Sequence, residues 1–336
     1  MLFLKSTCRS LAPSRAFVLS VALSLALSLA GKARAETYPV VIEHAFGTTT
    51  LIAKPTRIAT VNWSNHEVPL ALGVVPVGFA RAGFGDDDGD GILPWVEARL
   101  TALGAPPPVL FDEGDGIDFE AVAATKPDVI LAAYSGLSAT DYATLSQIAP
   151  VIAYPNAPWS TDWRDTILLN ARGMGMADAG KALVADLESQ IATTRARYPA
   201  LQGKRAMFVT HLSPANLSRI GFYTDLDTRV RFFHDLGLIS PALASGEGGS
   251  FAGEISAERI DDLSAVDVLV TYGDAGLRDQ LAADVLLSHL PAIHRGSLVL
   301  LGNDPMGTAA NPTPLSLPFV LERYARQISD AVKKAP

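Results

Sequence analysis

The chain has 336 residues, 35 acidic against 27 basic, for a formal charge of -8. That balance argues against a nucleic-acid or anionic-membrane partner, both of which select clustered positive charge. A single cysteine, Cys8, excludes an intramolecular disulfide framework.

Residues 1–35 have the three-part layout of a secretory signal peptide. Lys5, Arg9 and Arg15 form a charged start, Ala16 to Ala30 an apolar run, and Ala33-Arg34-Ala35 a small-x-small cleavage site. The run is about 15 residues, short of the roughly 20 that span a bilayer. Cleavage before Glu36 and release into the periplasm are therefore expected. Cys8 precedes the apolar run, whereas lipid attachment needs a cysteine after it. The leader holds five basic residues and no acid, so its removal takes the formal charge from -8 to about -13. The remaining 300 or so residues exceed what one hydrophobic core usually serves, so two lobes are expected.

A short strand pair (Val40 to His44, Thr49 to Ile52) opens the remaining chain. Strand and helix signals then alternate, as in a parallel sheet covered by helices. Strands are predicted at Arg57 to Val61, Val75 to Phe79, Val129 to Ala133 and Val151 to Tyr154, with helices at Glu67 to Leu72, Phe119 to Thr125 and Tyr142 to Ile148. From Thr161 to Tyr198 the pattern is helical, broken at Gly173-Met174-Gly175. Ala177 to Tyr198 contains no proline and spaces Leu183, Leu187 and Ile191 four apart, one apolar stripe on a stiff helix about 30 Å long. Alternation restarts with strands at Ala206 to Leu212, Arg219 to Tyr223, Val268 to Tyr272 and Leu298 to Leu301. The helices of this half fall at Thr228 to Leu236, Ala257 to Leu263, Ala282 to Leu290 and Leu317 to Lys333. The expected α/β organisation is an N-terminal lobe (36–175), a spine helix (176–199) and a C-terminal lobe (200–336).

Several phrases resemble the substrate-binding proteins of siderophore, vitamin B12 and haem importers. They are Arg57-Ile-Ala-Thr-Val61, Leu72-Gly-Val-Val-Pro-Val-Gly78, Asp118-Phe-Glu120 leading to Lys126-Pro-Asp-Val-Ile-Leu131, and Leu145-Ser-Gln-Ile-Ala-Pro150. In the second half they are Ser256-Ala-Glu258, Asp267-Val-Leu-Val270 and Leu290-Pro-Ala-Ile-His-Arg-Gly296. Each phrase alone is weak, but their order covers nearly all of the chain after the leader, and Leu145 to Pro150 leans toward the ferric-siderophore branch. The resemblance implies two Rossmann-like lobes joined by one long helix, a ligand cleft between them, and delivery of a ferric siderophore to the membrane subunits of an ABC importer by a monomeric receptor without a cofactor. Haem, cobalamin or a divalent metal ion are the alternative ligands, and a secreted α/β enzyme is the alternative of another class.

In parallel sheets ligands bind beyond the carboxyl ends of strands. That rule selects Trp63, Arg81, Tyr134, Trp159, Tyr223, Tyr272 and Asn303. Arg229 and Arg231 join them at a helix start that already favours anions. Arginines and tryptophans suit an anionic, apolar-faced ferric complex. For any one of these residues, packing or solvation is an equal reading. Glu120 and Glu258 stand in the first turns of short helices. Capping explains them locally, and the resemblance implies importer docking.

Asp86-x-Asp88-x-Asp90-Gly91 followed by Glu97 matches calcium-loop spacing, although Pro94 occupies position nine and no helix precedes it. An acidic rim loop is the preferred reading. His66 and His211 follow strands in different halves; a pair of bare-metal ligands is the sharp reading, ordinary loop histidines the simpler one. No nucleophile elbow or P-loop occurs in the sequence.

Overall fold

The computed structural model describes residues 37–210, 217–246 and 249–335. A hairpin of β1 (Val40–His44) and β2 (Gly47–Leu51) precedes a regular alternation of strand and helix. The strands are β3 (Ile58–Thr60), β4 (Gly78–Ala80), β5 (Val109–Phe111), β6 (Val129–Ala132) and β7 (Val151–Ala153). Between them run α1 (Glu67–Ala71), α2 (Pro94–Ala102), α3 (Phe119–Ala124) and α4 (Ala139–Leu145). The five strands are parallel in the order β5-β4-β3-β6-β7. β6 is buried at every position, which is why its sequence is apolar without alternation.

α5 (Trp163–Gly173) and α6 (Ala177–Arg197) lead to the second half. There β8 (Ala206–Phe208), β11 (Val268–Tyr272) and β12 (Leu298–Leu301) form a parallel sheet in the order β12-β11-β8. An antiparallel pair, β9 (Arg219–Tyr223) and β10 (Ala252–Ser256), reaches the end of β8 through a bridge between Val209 and Phe222. The helices of this half are α7 (Thr228–Asp235), α8 (Ala275–Ala283), α9 (Pro291–His294) and α10 (Ser316–Val332). The architecture is the expected two-lobed α/β arrangement, with parallel sheets in both halves.

The long helix α6 buries Leu187 and Ile191, with Leu183 packed partly buried against the same core. It lies against α5 on one side and α10 on the other. Gly180 permits the first contact, because a Cβ there would stand 2.5 Å from that of Ala171. α10 buries Leu317, Val320, Leu321, Tyr324, Ala325 and Ile328, a single helical face. One apolar cluster runs from Phe79 and Leu131 in the first sheet through Phe208 and Val270 in the second to Tyr324. Residues 36–336 accordingly form one compact unit.

The structure departs from the expected elements in several places. α2, β5 and β10 have no counterpart in the sequence reading: Pro106 to Pro108 mask β5, and exposed alternate positions weaken the apolar signal of β10. The helix predicted over Ala282 to Leu290 is instead α8, capped by Asp274, followed by a short 3-10 turn at Leu287–His289. Asp284 divides them, its carboxylate accepting the N–H groups of Leu286 (2.9 Å) and Leu287 (2.8 Å).

Candidate ligand-binding cleft

In the first sheet, winding goes from β3 outward to β5 and then returns to β6 beside β3. The carboxyl ends of β3 and β6 are therefore a topological switch point, where open α/β sheets leave a crevice. Asn65 ties the two strand ends together: its Nδ2 donates to the carbonyls of Val61 and Tyr134, both at 2.8 Å, and its Oδ1 accepts the N–H of Tyr134. Three residues with side chains adopt left-handed backbone here, Asn62 (φ 60°), Ser64 (φ 60°) and Trp159 (φ 58°). Such conformations persist only where surrounding bonds enforce them. Asn62 is enforced by Glu113 and by accepting the Gly136 N–H at 3.0 Å, Trp159 by donating its N–H to Ser135 at 2.9 Å.

Two cavities open at this point and share Trp63 and Trp159. The first, of about 510 Å³, is bounded by the loops after β3, β4 and β5, with Arg81, Glu113 and His66 among its walls. A second, of about 390 Å³, lies between the halves and is aromatic, with Tyr134, Tyr223, Phe251, Tyr272 and Phe84 around Arg229. Gly136 makes room for the Trp159 indole, since a Cβ at that glycine would meet its Nε1 at 2.5 Å.

The charge in the aromatic cavity is a compensated one. Asp227 caps α7 by accepting the Arg229 N–H at 2.7 Å and also faces the guanidinium at 3.1 Å. Burial pushes the Asp227 carboxyl up, and Arg229 opposes that shift. The guanidinium lies 4.3 Å over the Tyr223 ring, and its Nε has no hydrogen-bond partner among the described residues. Burial also pushes the Tyr272 hydroxyl up to about 12.

The first cavity holds two displaced titrations. His66 stacks on Phe79 at 4.3 Å, and burial lowers its pKa to about 3, so the ring is neutral. Glu67 is 1% exposed, and burial raises its pKa to about 7 against hydrogen bonds from Thr313, Trp95 and Leu315. Two of those donors belong to the segment before α10, so Glu67 bonds across the halves. Arg164 does so as well, pairing through two nitrogens with Asp235 at 3.1 and 2.8 Å.

Of the nine candidate ligand residues, seven line these cavities: Trp63, Arg81, Tyr134, Trp159, Tyr223 and Tyr272 from the strand ends and Arg229 from the helix start. Arg231 and Asn303 line neither and bridge the halves instead. Arg231 donates to the Ser160 carbonyl at 3.1 Å, and Asn303 accepts the Gly85 N–H at 2.8 Å. The rule missed Glu113 because β5 was hidden, and Phe84, Phe251 and Asn311 because they come from loops. Asn62, two residues beyond β3 and adjacent to Trp63, carries no aromatic or charged group for that rule to single out.

Glu120 and Glu258 are exposed in the first turns of α3 and of the 3-10 helix Ala257–Leu263, and neither lines a cavity. Asp118 and Ser256 cap those helices, so capping leaves both glutamates unused. Oxygens of Asp86, Asp88 and Asp90 lie within 4.8 Å of one another, but Glu97 is not in that group. It stands exposed on α2, outside that group of three carboxylates. His211 lies outside the described residues.

Two sheets pinned to one long helix, with an aromatic crevice at their strand ends, define a receptor that encloses a small solute. The chain belongs to the periplasmic binding protein family, whose profile matches residues 58–305. Among solved structures it is similar to the iron-uptake protein PiaA of Streptococcus pneumoniae TIGR4 in complex with ferrichrome. The two share 40% identity with a TM-score of 0.84, over 88% of this chain and 100% of that one. Among curated proteins it is 29% identical over 185 residues to the probable siderophore-binding lipoprotein YfiY of Bacillus subtilis, covering 55% of this chain and 52% of that one. It is 36% identical over 126 residues to the Fe(3+) dicitrate-binding protein FecB of Escherichia coli, covering 34% of this chain and 37% of that one. The match thus spans about half or less of these curated relatives.

Proposed function

We propose that this chain is a periplasmic receptor for a ferric siderophore, exported by a cleaved leader and acting as a monomer that delivers its ligand to an ABC importer. In this reading residues 36–175 and 200–336 are the lobes and 176–199 the spine. The observation that carries it is the aromatic cavity, where one arginine, already facing Asp227, stands among tyrosines, tryptophans and phenylalanines. Such a wall suits a bulky complex of low net charge better than a polyanion. A ferric trihydroxamate meets that description, because three singly charged hydroxamates cancel the charge of the iron. The likeness to a ferrichrome-bound structure at 40% identity supports the same class. Glu120 and Glu258, exposed and one in each half, are the surface acids that would face importer arginines.

Titration of the intrinsic tryptophan fluorescence with ferric siderophores tests the reading, because Trp63 and Trp159 both line the cleft. A 1:1 quench by a ferric trihydroxamate, with much weaker binding of its iron-free form, is the expected outcome. Tight binding of haem or cobalamin with no response to any siderophore would refute it.

A further inference from the structure

The cavity of about 510 Å³ beneath the loops after β3, β4 and β5 is not needed by the aromatic contacts above, and its chemistry differs from theirs. Glu113 enters it half-buried. Among the described residues its carboxylate is oriented by Asn62, whose backbone N–H donates at 3.0 and 3.2 Å and whose Nδ2 donates at 2.8 Å. Those bonds hold Asn62 in its left-handed conformation, so the loop geometry is given over to fixing one acid. Asp112 lines the same wall. His66, 7% exposed, also lines the cavity, and its Nδ1 has no hydrogen-bond partner among the described residues. Arg81, the guanidinium on this wall, is exposed and lies close enough to Asp86 to attract its carboxylate.

A fixed carboxylate lining an open cavity, with a second carboxylate on the same wall, forms an acceptor site for a charged donor. We infer that this compartment takes a protonated amine carried on the periphery of the siderophore, with Glu113 as the acceptor that sets specificity. The inference rests on the trihydroxamate reading, because the iron centre in the aromatic cavity is what would bring the amine here. Both cavities share Trp63 and Trp159, so one ligand reaches both. Burial pushes the Glu113 carboxyl up, opposed by Asn62, and a bound cation would offset that cost of desolvation.

Fluorescence titration of two ligands tests it: a linear ferric trihydroxamate ending in a primary ammonium, and the same complex N-acetylated. The wild-type protein should bind the ammonium form roughly tenfold more tightly, the order of one charge-assisted hydrogen bond. Glu113→Gln should bring the two affinities to parity, and Glu113→Asp should restore part of the preference. Equal wild-type affinities, or a preference that survives Glu113→Gln, would overturn the assignment while the receptor reading stands, since both ligands still bind. Binding of neither form removes the trihydroxamate reading and the inference together. The wild-type comparison stays decisive even if Glu113→Gln fails to fold.

Discussion

The two adjacent buried groups, His66 and Glu67, predict a stability that is flat with pH only because two opposite slopes cancel. Burial raises Glu67 from 4.5 to about 7, so between those values the folded protein holds a proton that the unfolded chain releases. Its contribution is complete below pH 4.5 and is lost as pH rises to about 7. His66 runs the other way, lowered from 6.5 to about 3, so its contribution is complete above 6.5 and is lost as pH falls toward 3. Each slope is about 1.4 kcal/mol per pH unit, and they overlap with opposite sign between 4.5 and 6.5. Glu67→Gln removes one slope and exposes the other. Between pH 6.5 and pH 5 the variant should lose about 2 kcal/mol relative to the wild type. His66→Phe, which keeps a ring on Phe79, should gain a similar amount over the same interval. Urea midpoints at the two pH values read the difference, and the subtraction between variants removes the contribution of every other titrating group. Identical pH dependence in wild type and Glu67→Gln would refute the reasoning.

Gly136→Ala should displace the Trp159 indole from the cleft, because the new Cβ would stand 2.5 Å from it. Ligand affinity should fall at least tenfold, about 1.4 kcal/mol, in the titration used above. Glu120→Ala combined with Glu258→Ala should leave ligand affinity in solution intact, as neither residue lines the cleft, yet sharply reduce uptake in cells lacking the native receptor. Lost interface charge pairs cost about 2 to 5 kcal/mol, and normal uptake at full expression would assign both residues to the helix ends alone. Calcium should leave the melting temperature unchanged, because Asp86 already accepts the Gly89 and Gly91 N–H groups, and Asp90 that of Ile92. A site filled at one hundred times its dissociation constant would add about 2.7 kcal/mol, visible as a shift of several degrees.

Much of the fold follows from local signals that tertiary contacts did not override. The uninterrupted apolar run of β6, the four-residue spacing on α6 and the single buried face of α10 each declare an element and the side it buries. Trp63, Tyr134, Tyr223 and Tyr272 were found because a parallel sheet delivers its strand ends to one edge, a rule that needs only strand boundaries. Where boundaries are masked that rule has nothing to act on: prolines hide β5, and Glu113 with it. Arg231 stands at a helix start and Asn303 beyond a strand end, yet their side chains turn to the Ser160 carbonyl and the Gly85 N–H of the other half. No local pattern encodes such partners, which lie 71 and 218 residues away along the chain. Glu67 shows the same division. Its position on a helix after β3 is local, but the donors that meet its buried carboxylate, Thr313 and Leu315, lie 246 and 248 residues downstream, and it is burial, against those bonds, that raises its pKa to about 7. Periodicity decides which residues face inward, because it acts over one or two turns of chain; only packing of the two halves decides which polar atoms meet, because that choice depends on groups the sequence holds far apart.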